Sequence, residues 1–373
     1  MKLKINREDF LKVFQTAAMV SPVRSPRPIL QNVKLDVHKD HTVLTATDTE
    51  VGVRLNVDQV EVEAAGAAVF PVARLNMILR ESSDEFLSIE ASEGKAIVKG
   101  THSRFELQTQ NADEFPDVTG FEEKSSYQIK AGAMRELIRR TLFATDTESS
   151  RYALGGILLE IDGDTLVGVG TDGRRMAKME IPVKTTGKPE IAGGTTIVPS
   201  RSMQLMERIL PDSEVEISLA IRSNDLVMGV PTGVFNTRLV EGRFPKWRDA
   251  IPNRRDSHKI DLPIGPLYAA LRQAAIVASE ESRGIDFTFS DGSLVLSSST
   301  ADVGQSRVEL PISFDSDELV IRLDNRYIAD FLKVLQPDRT FTLDVEGPQS
   351  AAFCSTEDKY GYVIMPLQRG QEK

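Results

Sequence analysis

The chain is three copies of one unit laid end to end, and this repetition limits its possible folds more than any single motif does. Three segments open alike: Lys2–Ile5 before Glu8–Val13, Tyr127–Lys130 before Met134–Ile138, and Lys259–Leu262 before Leu267–Leu271. Thr47-Asp48 recurs as Thr171-Asp172, and Phe115-Pro116 recurs as Phe244-Pro245. A spacing of about 125 residues is too long for a solenoid repeat of roughly 20–50. It is the size of a whole domain. The 373 residues are therefore expected to form three domains, at 1–123, 124–254 and 255–373. The joints fall in the polar stretches Phe121–Ser126 and Pro252–His258, and the tail Arg369–Lys373 is expected to be disordered.

Each third divides again into two halves with one pattern: a strand, a helix, then three or more strands. Phe10, Val13, Phe14 and Ala17 stand at helical spacing, which predicts a helix over Arg7–Ala17. The same periodicity predicts helices at Ala73–Glu81, Gly132–Phe143, Ser200–Leu210, Gly265–Ala278 and Asn325–Leu335. Between them, alternating segments such as Val33–Val37, Leu87–Ile89 and Phe105–Gln108 predict strands with one buried and one wet face. Asp162-Gly163, Asp172-Gly173 and Asp291-Gly292 are hairpin dipeptides.

The net charge of −10 argues against a nucleic-acid partner, because gripping phosphates relies on Lys and Arg. The distribution reverses that inference. The six helical windows hold twelve basic residues against six acidic ones, so the helices are positive on an acidic chain. No helix carries the dense basic run of a groove-reading helix. The pattern suits a diffuse surface that senses backbone charge without reading sequence.

Nothing in the sequence requires catalysis. His38, His41, His102 and His258 are scattered without metal-ligand spacing, and no nucleophile elbow or phosphate-binding loop is present. Gly168, Gly170 and Gly173 have the wrong spacing for a dinucleotide fingerprint. Asp146, Glu148, Asp162 and Asp164 read as solvated loop acids. The expectation is no enzyme, no cofactor and no metal. The single Cys354 excludes an internal disulfide and fits a reducing compartment. No apolar run approaches the roughly 20 residues of a membrane span, so the expected location is cytoplasmic.

The assembled motifs resemble a family. Arg151-Tyr-Ala-Leu-Gly-Gly156, Val169-Gly-Thr-Asp-Gly-Arg-Arg-Met176, Leu239-Val-Glu-Gly-Arg-Phe-Pro245, Ser282-Arg-Gly284 and Tyr362-Val-Ile-Met-Pro366 are similar, in order and spacing, to the bacterial sliding clamps. These are the β subunits of DNA polymerase III, and the resemblance covers residues 1–368. It implies an α+β chain of three topologically similar clamp domains, each of two βαβββ half-units. Two chains would close into a homodimeric ring of six domains around double-stranded DNA, held without sequence specificity and associated with the nucleoid during replication.

The resemblance also implies sites. The DNA-side residues would be Arg24, Arg80, Arg139, Arg151, Tyr152, Arg201 and Arg283. A pocket for short linear motifs would comprise Leu154, Thr171, Gly173, Arg175, Met176, Pro245, Tyr327, Val363, Ile364, Met365 and Pro366. Its partners would be the polymerase III catalytic subunit, the clamp loader, other polymerases and repair proteins. Ring closure would bring Arg74, Phe105 and Leu107 of one chain to Ile276 and Val277 of the other. The sequence departs from the usual family pattern at Arg174, Asp249, Ala250 and Ser282, which bears on the pocket's rim. Without the resemblance, Thr171–Gly173 reads as an ordinary hairpin turn and the terminal apolar run as a core strand. The alternative function is a clamp-fold scaffold that binds proteins without tethering a polymerase.

Overall fold

The computed structural model describes residues 1–368 apart from 93, 123, 147–151, 189–194, 255 and 279–282. Glu148, Arg151, Ser282 and the tail Arg369–Lys373 thus lie outside the described residues.

The first third runs β1 (Lys2–Asn6), α1 (Arg7–Ala18), β2 (Asn32–Val37), β3 (Thr42–Thr47), β4 (Val51–Asn56), β5 (Val60–Ala64), β6 (Gly66–Pro71), α2 (Val72–Glu81), β7 (Phe86–Ser92), β8 (Lys95–Lys99) and β9 (Arg104–Gln108). The middle third runs β10 (Ser126–Lys130), α3 (Ala131–Leu142), β11 (Gly156–Asp162), β12 (Thr165–Thr171), β13 (Arg175–Pro182), β14 (Lys184–Thr186), β15 (Thr196–Pro199), α4 (Ser200–Ile209), β16 (Glu216–Ile221), β17 (Asp225–Val230) and β18 (Gly233–Arg238). The last runs β19 (His258–Pro263), α5 (Ile264–Ala274), β20 (Gly284–Ser290), β21 (Ser293–Thr300), β22 (Gly304–Pro311), β23 (Leu319–Asp324), α6 (Asn325–Lys333), β24 (Thr340–Val345), β25 (Ala352–Ser355) and β26 (Gly361–Ile364).

All six predicted helices are present. In α1 the Asn6 side chain accepts from the N–H groups of Glu8 and Asp9, while Phe10, Phe14 and Ala17 are buried. Prediction and structure differ most at α5, which stops at Ala274 instead of Ala278. A 3₁₀ turn, Ala275–Val277, follows. Two β-branched residues in succession, Ile276 and Val277, weaken the helix there. Ser306 Oγ donates to the Ala274 carbonyl at 2.7 Å and satisfies one of the groups freed. Two arginines do comparable work at other helix ends. Arg7 donates to the carbonyl of Leu79 in the last turn of α2 and to that of Asp84 beyond it, and Arg135 to those of Leu210 and Pro211 beyond α4.

The two halves of a third exchange their leading strands. In the first third β1 pairs with β7 of the second half, Leu3 opposite Ile89, while β6 pairs with β2, Val33 opposite Phe70. β10 likewise pairs with β16, β19 with β24, and β23 with β20. In the two outer thirds each half therefore completes the other's sheet, which ties that third into one unit.

The described chain forms two compact units, each one outer third plus half of the middle third: Met1–Arg135 with Val183–Val240, and Glu136–Pro182 with Glu241–Lys373. In the first unit β4 pairs with β18, Val51 opposite Thr237, inside a sheet ordered β14-β10-β16-β17-β18-β4-β3-β2-β6. In the second, β13 pairs with β26, Arg175 opposite Ile364, in the order β11-β12-β13-β26-β25-β24-β19. Both seams follow one rule. The third strand after the helix of a first half pairs antiparallel with the third strand after the helix of the next third's second half. The connectors brace these seams. A Cβ on Gly52 would meet Val118 at 2.7 Å and one on Gly229 would meet the Phe121 ring at 3.1 Å, so the glycines form notches for the segment after the first third. In the second unit the Trp247 indole donates to Glu160, and Arg254 donates to the Asp344 and Ala351 carbonyls.

Candidate functional site

The turn between β12 and β13 is built by two side chains. Thr171 Oγ1 donates to the Arg175 carbonyl at 2.6 Å and accepts the Gly173 N–H at 3.0 Å. Asp172 Oδ1 accepts the N–H groups of Arg174 and Arg175 at 2.9 and 3.0 Å. Gly173 takes φ +85° and a Cβ there would meet nothing within 4 Å, so the backbone needs the glycine while the space above it is open.

Arg175 is the anchor of this site. Its Nε donates to Asp172 at 3.0 Å, Nη1 to Asp330 on α6 at 2.9 Å, and Nη2 to the Phe143 carbonyl at 2.7 Å. The guanidinium also lies 4.4 Å from the centre of the Tyr327 ring. Burial works against its charge, but Tyr362, Asp330 and Asp172 outweigh burial and hold its pKa above the ordinary arginine value. Burial likewise pushes the Tyr327 phenol up, with Asp172 and Asp324 adding to the effect. Asp172, Asp330 and Phe143 were not among the pocket residues expected from the sequence. Asp172 could have been found, since it sits inside the recurrent Thr-Asp pair.

Of the expected pocket residues, Leu154, Thr171, Met176, Val363 and Ile364 are buried. Met176 and Val363 are direct partners across the seam. Gly173, Pro245 and Met365 are exposed, while Tyr327 and Pro366 are half-buried. The chain continues past β26 in register, the Met365 N–H donating to the Arg174 carbonyl and the Leu367 N–H to the Arg322 carbonyl. Met365, Pro366 and Leu367 also border a cleft of about 570 Å³ with Leu319, Val320 and Pro348. Tyr362 is fully buried, stacks on Phe331 at 5.0 Å, and donates its hydroxyl to the Tyr327 carbonyl.

The first third carries a matching turn in its own seam. Thr47 Oγ1 donates to the Val51 carbonyl and accepts the Thr49 N–H, and Asp48 Oδ1 accepts from Glu50 and Val51. Even the exit is shared: the Arg238 N–H donates to the Glu50 carbonyl, as Met365 does to Arg174. Glu50 and Arg174 are therefore equivalent positions, as are Arg238 and Met365.

The expected DNA-side residues fare differently. Arg24, Arg80, Arg139 and Arg201 are exposed and Arg283 is half-buried. Arg139 pairs with Glu136 at 3.1 Å, and Arg201 pairs with Asp48. Arg283 contributes to the field at buried Asp324. Arg151 lies outside the described residues, and Tyr152 opens a 3₁₀ turn, Tyr152–Leu154. The helix charge tally needs one correction. Arg140 is buried against Asp358 and Glu136, and Arg7 and Arg135 are spent on carbonyls, so fewer helix cations are free to meet solvent than the sequence count suggests. At the expected ring contact, Arg74 is exposed, Phe105 is 38% exposed and Ile276 is 77% exposed. Leu107 and Val277 are half-buried.

Three consecutive family models match this chain: the DNA polymerase III beta subunit N-terminal domain at residues 1–119, its central domain at 128–246 and its C-terminal domain at 248–368. The chain belongs to the DNA polymerase III β subunit family. Its relatives include the beta sliding clamps of Pseudomonas putida, 29% identical over 99% of this chain and 100% of theirs, and of Vibrio cholerae, 29% identical with the same coverage. The crystal structure of the Pseudomonas aeruginosa DNA polymerase III subunit beta superposes with a TM-score of 0.91 at 28% identity, covering 99% of this chain and 100% of that one. A P. aeruginosa sliding clamp bound to griselimycin superposes with a TM-score of 0.90 at 28% identity, covering 99% of both chains. Sliding clamps are non-catalytic processivity subunits, and three clamp domains per chain are the α+β architecture described above. No helix among the described residues is long and apolar enough to cross a membrane.

Proposed function

We propose that two copies of this chain close into a ring around duplex DNA and tether replication proteins to it, working in the cytoplasm. The observation that carries the ring is an unfilled place in the seam rule. β4 pairs with β18 and β13 with β26, which leaves β22 and β9 as edges of their sheets. The end strands β18, β26 and β9 each carry an aromatic residue at the equivalent position: Phe235, Tyr362 and Phe105. The first two are 0% exposed beneath a neighbouring strand, whereas Phe105 is 38% exposed. An open edge with an uncovered aromatic side chain calls for a strand from another chain. By the same rule β22 supplies it, with Ser306 opposite Phe105 and Gly304 opposite Leu107. Ile276 and Val277, on the turn packed beside β22, would cover Phe105, and Arg74 would lie at the rim. The strands would make two equivalent contacts in a closed dimer of six domains, bounded at 1–123, 124–254 and 255–373.

Within such a ring, Arg24, Arg80, Arg139, Arg151, Tyr152, Arg201 and Arg283 would face DNA. Sparse cations on an acidic protein hold phosphates loosely, so enclosure and not affinity keeps the clamp on its track. The polymerase III catalytic subunit, the loader and other polymerases and repair proteins would dock by short motifs at Leu154, Thr171, Gly173, Arg175, Met176, Pro245, Tyr327 and Val363–Pro366. Leu154, Met176, Val363 and Ile364 offer apolar contact, and methionine adapts to several partners. Sedimentation equilibrium tests the closure. The chain should run at twice 41.2 kDa and Phe105→Arg at 41.2 kDa. A monomeric parent, or a dimer unaffected by Phe105→Arg, would overturn it.

A further inference from the structure

We infer that Arg174 selects an acidic residue in the docking peptide. This rests on the docking site proposed above and adds to it a chemical preference. Two adjacent arginines leave the Thr171 turn, and they differ in what they already hold. Arg175 takes Asp172 Oδ2 and Asp330 Oδ2. The other oxygens of those carboxylates are also engaged, Asp172 Oδ1 by two backbone N–H groups and Asp330 Oδ1 by Lys333. Arg174 is exposed, and no described residue pairs with its guanidinium. The neighbouring acids are spoken for, so an incoming carboxylate meets no internal competitor.

The matching turn in the first third serves as an internal control. Glu50 stands where Arg174 stands, and its charge is answered by Arg238 at 3.9 Å. At the second seam the residue equivalent to Arg238 is Met365, which is 49% exposed and carries no charge. The backbone frame is the same, but the second seam has an unanswered cation beside an exposed apolar side chain. That combination fits a peptide with an apolar residue next to Asp or Glu. Glu50 and Arg238 close the first seam to such a ligand.

Two fluorescein-labelled synthetic peptides test this on the full chain by anisotropy. They share their apolar residues, which are flanked by Asp in one and by Asn in the other. The parent should bind the Asp peptide about three- to fivefold more tightly, the range of an exposed ion pair. A net charge of −10 would by itself favour the Asn peptide, so the preference cannot come from bulk attraction. Arg174→Gln should remove the preference and leave affinity for the Asn peptide unchanged. Glu50→Gln should change neither. Equal binding of both peptides, or a preference that survives in Arg174→Gln, would overturn the assignment. Binding of neither peptide to the parent would instead overturn the docking site itself.

Discussion

Thr49 and Gly173 occupy the same corner of two equivalent turns, with φ of 82° and 85°. The hydrogen bonds around them coincide, yet one corner holds a β-branched residue and the other a glycine. A left-handed conformation costs an L residue about 1–2 kcal/mol. Glycine's extra freedom in the unfolded chain returns roughly 0.5–1 kcal/mol of that. Thr49→Gly should therefore stabilise the protein slightly, by up to about 1 kcal/mol. Gly173→Ala should cost about 1 kcal/mol while keeping the fold, since no atom obstructs its Cβ. Urea midpoints at unchanged m-value would measure both.

Arg175 is predicted to hold the proposed docking site together. Replacing it with Met leaves Asp172 and Asp330 without their shared cation in a half-buried setting. The expected cost is about 2–3 kcal/mol, below that of a fully buried pair. Peptide affinity should fall as well. Arg175→Lys should recover part of the stability but not the binding, because one ammonium cannot serve two carboxylates and a carbonyl in the same plane. Thermal melts and peptide titrations of both variants decide the point.

Acid should release one tie in the second unit. Burial acts to raise the pKa of Asp358, but hydrogen bonds from Thr356 and Arg140 outweigh it and hold the carboxyl below the ordinary aspartate range. A depressed folded pKa contributes stability that is present above the unfolded value and lost as pH falls through the folded one. The difference in stability between the parent and Asp358→Asn should be constant well above about pH 4 and should shrink below it as pH falls through the lowered folded value. A difference that grew on acidification would contradict the assignment.

Cys354 should be inert in the folded protein. It is fully buried and burial pushes its thiol pKa up, so little thiolate is present at neutral pH. Maleimide labelling should follow global unfolding in urea and not precede it.

The periodic features were legible in the sequence. Phe10, Phe14 and Ala17 announced α1, Thr171–Gly173 announced a turn, and the recurrent Thr47-Asp48 marks a second turn that proves identical in hydrogen bonding. Long-range pairing was not legible. Nothing near Lys2 says that it lies opposite Glu90, so the exchange of leading strands between halves appeared only in the structure. β5, with Val and Glu alternating at a sheet edge, looks as polar as a loop and was missed. Arg140 looked like one more surface cation because its partner, Asp358, stands far along the chain. Arg201 likewise meets Asp48 through folding alone. Local pattern reveals elements, but the use of a charge depends on partners that only the fold brings near.

The central claim is that topology, not affinity, keeps this protein on DNA. The direct test is to load it with its clamp loader onto nicked circular DNA, then compare its retention in high salt before and after the circle is linearised. Retention on the circle and rapid loss from linear ends is the predicted result. Equal release from both would contradict the account.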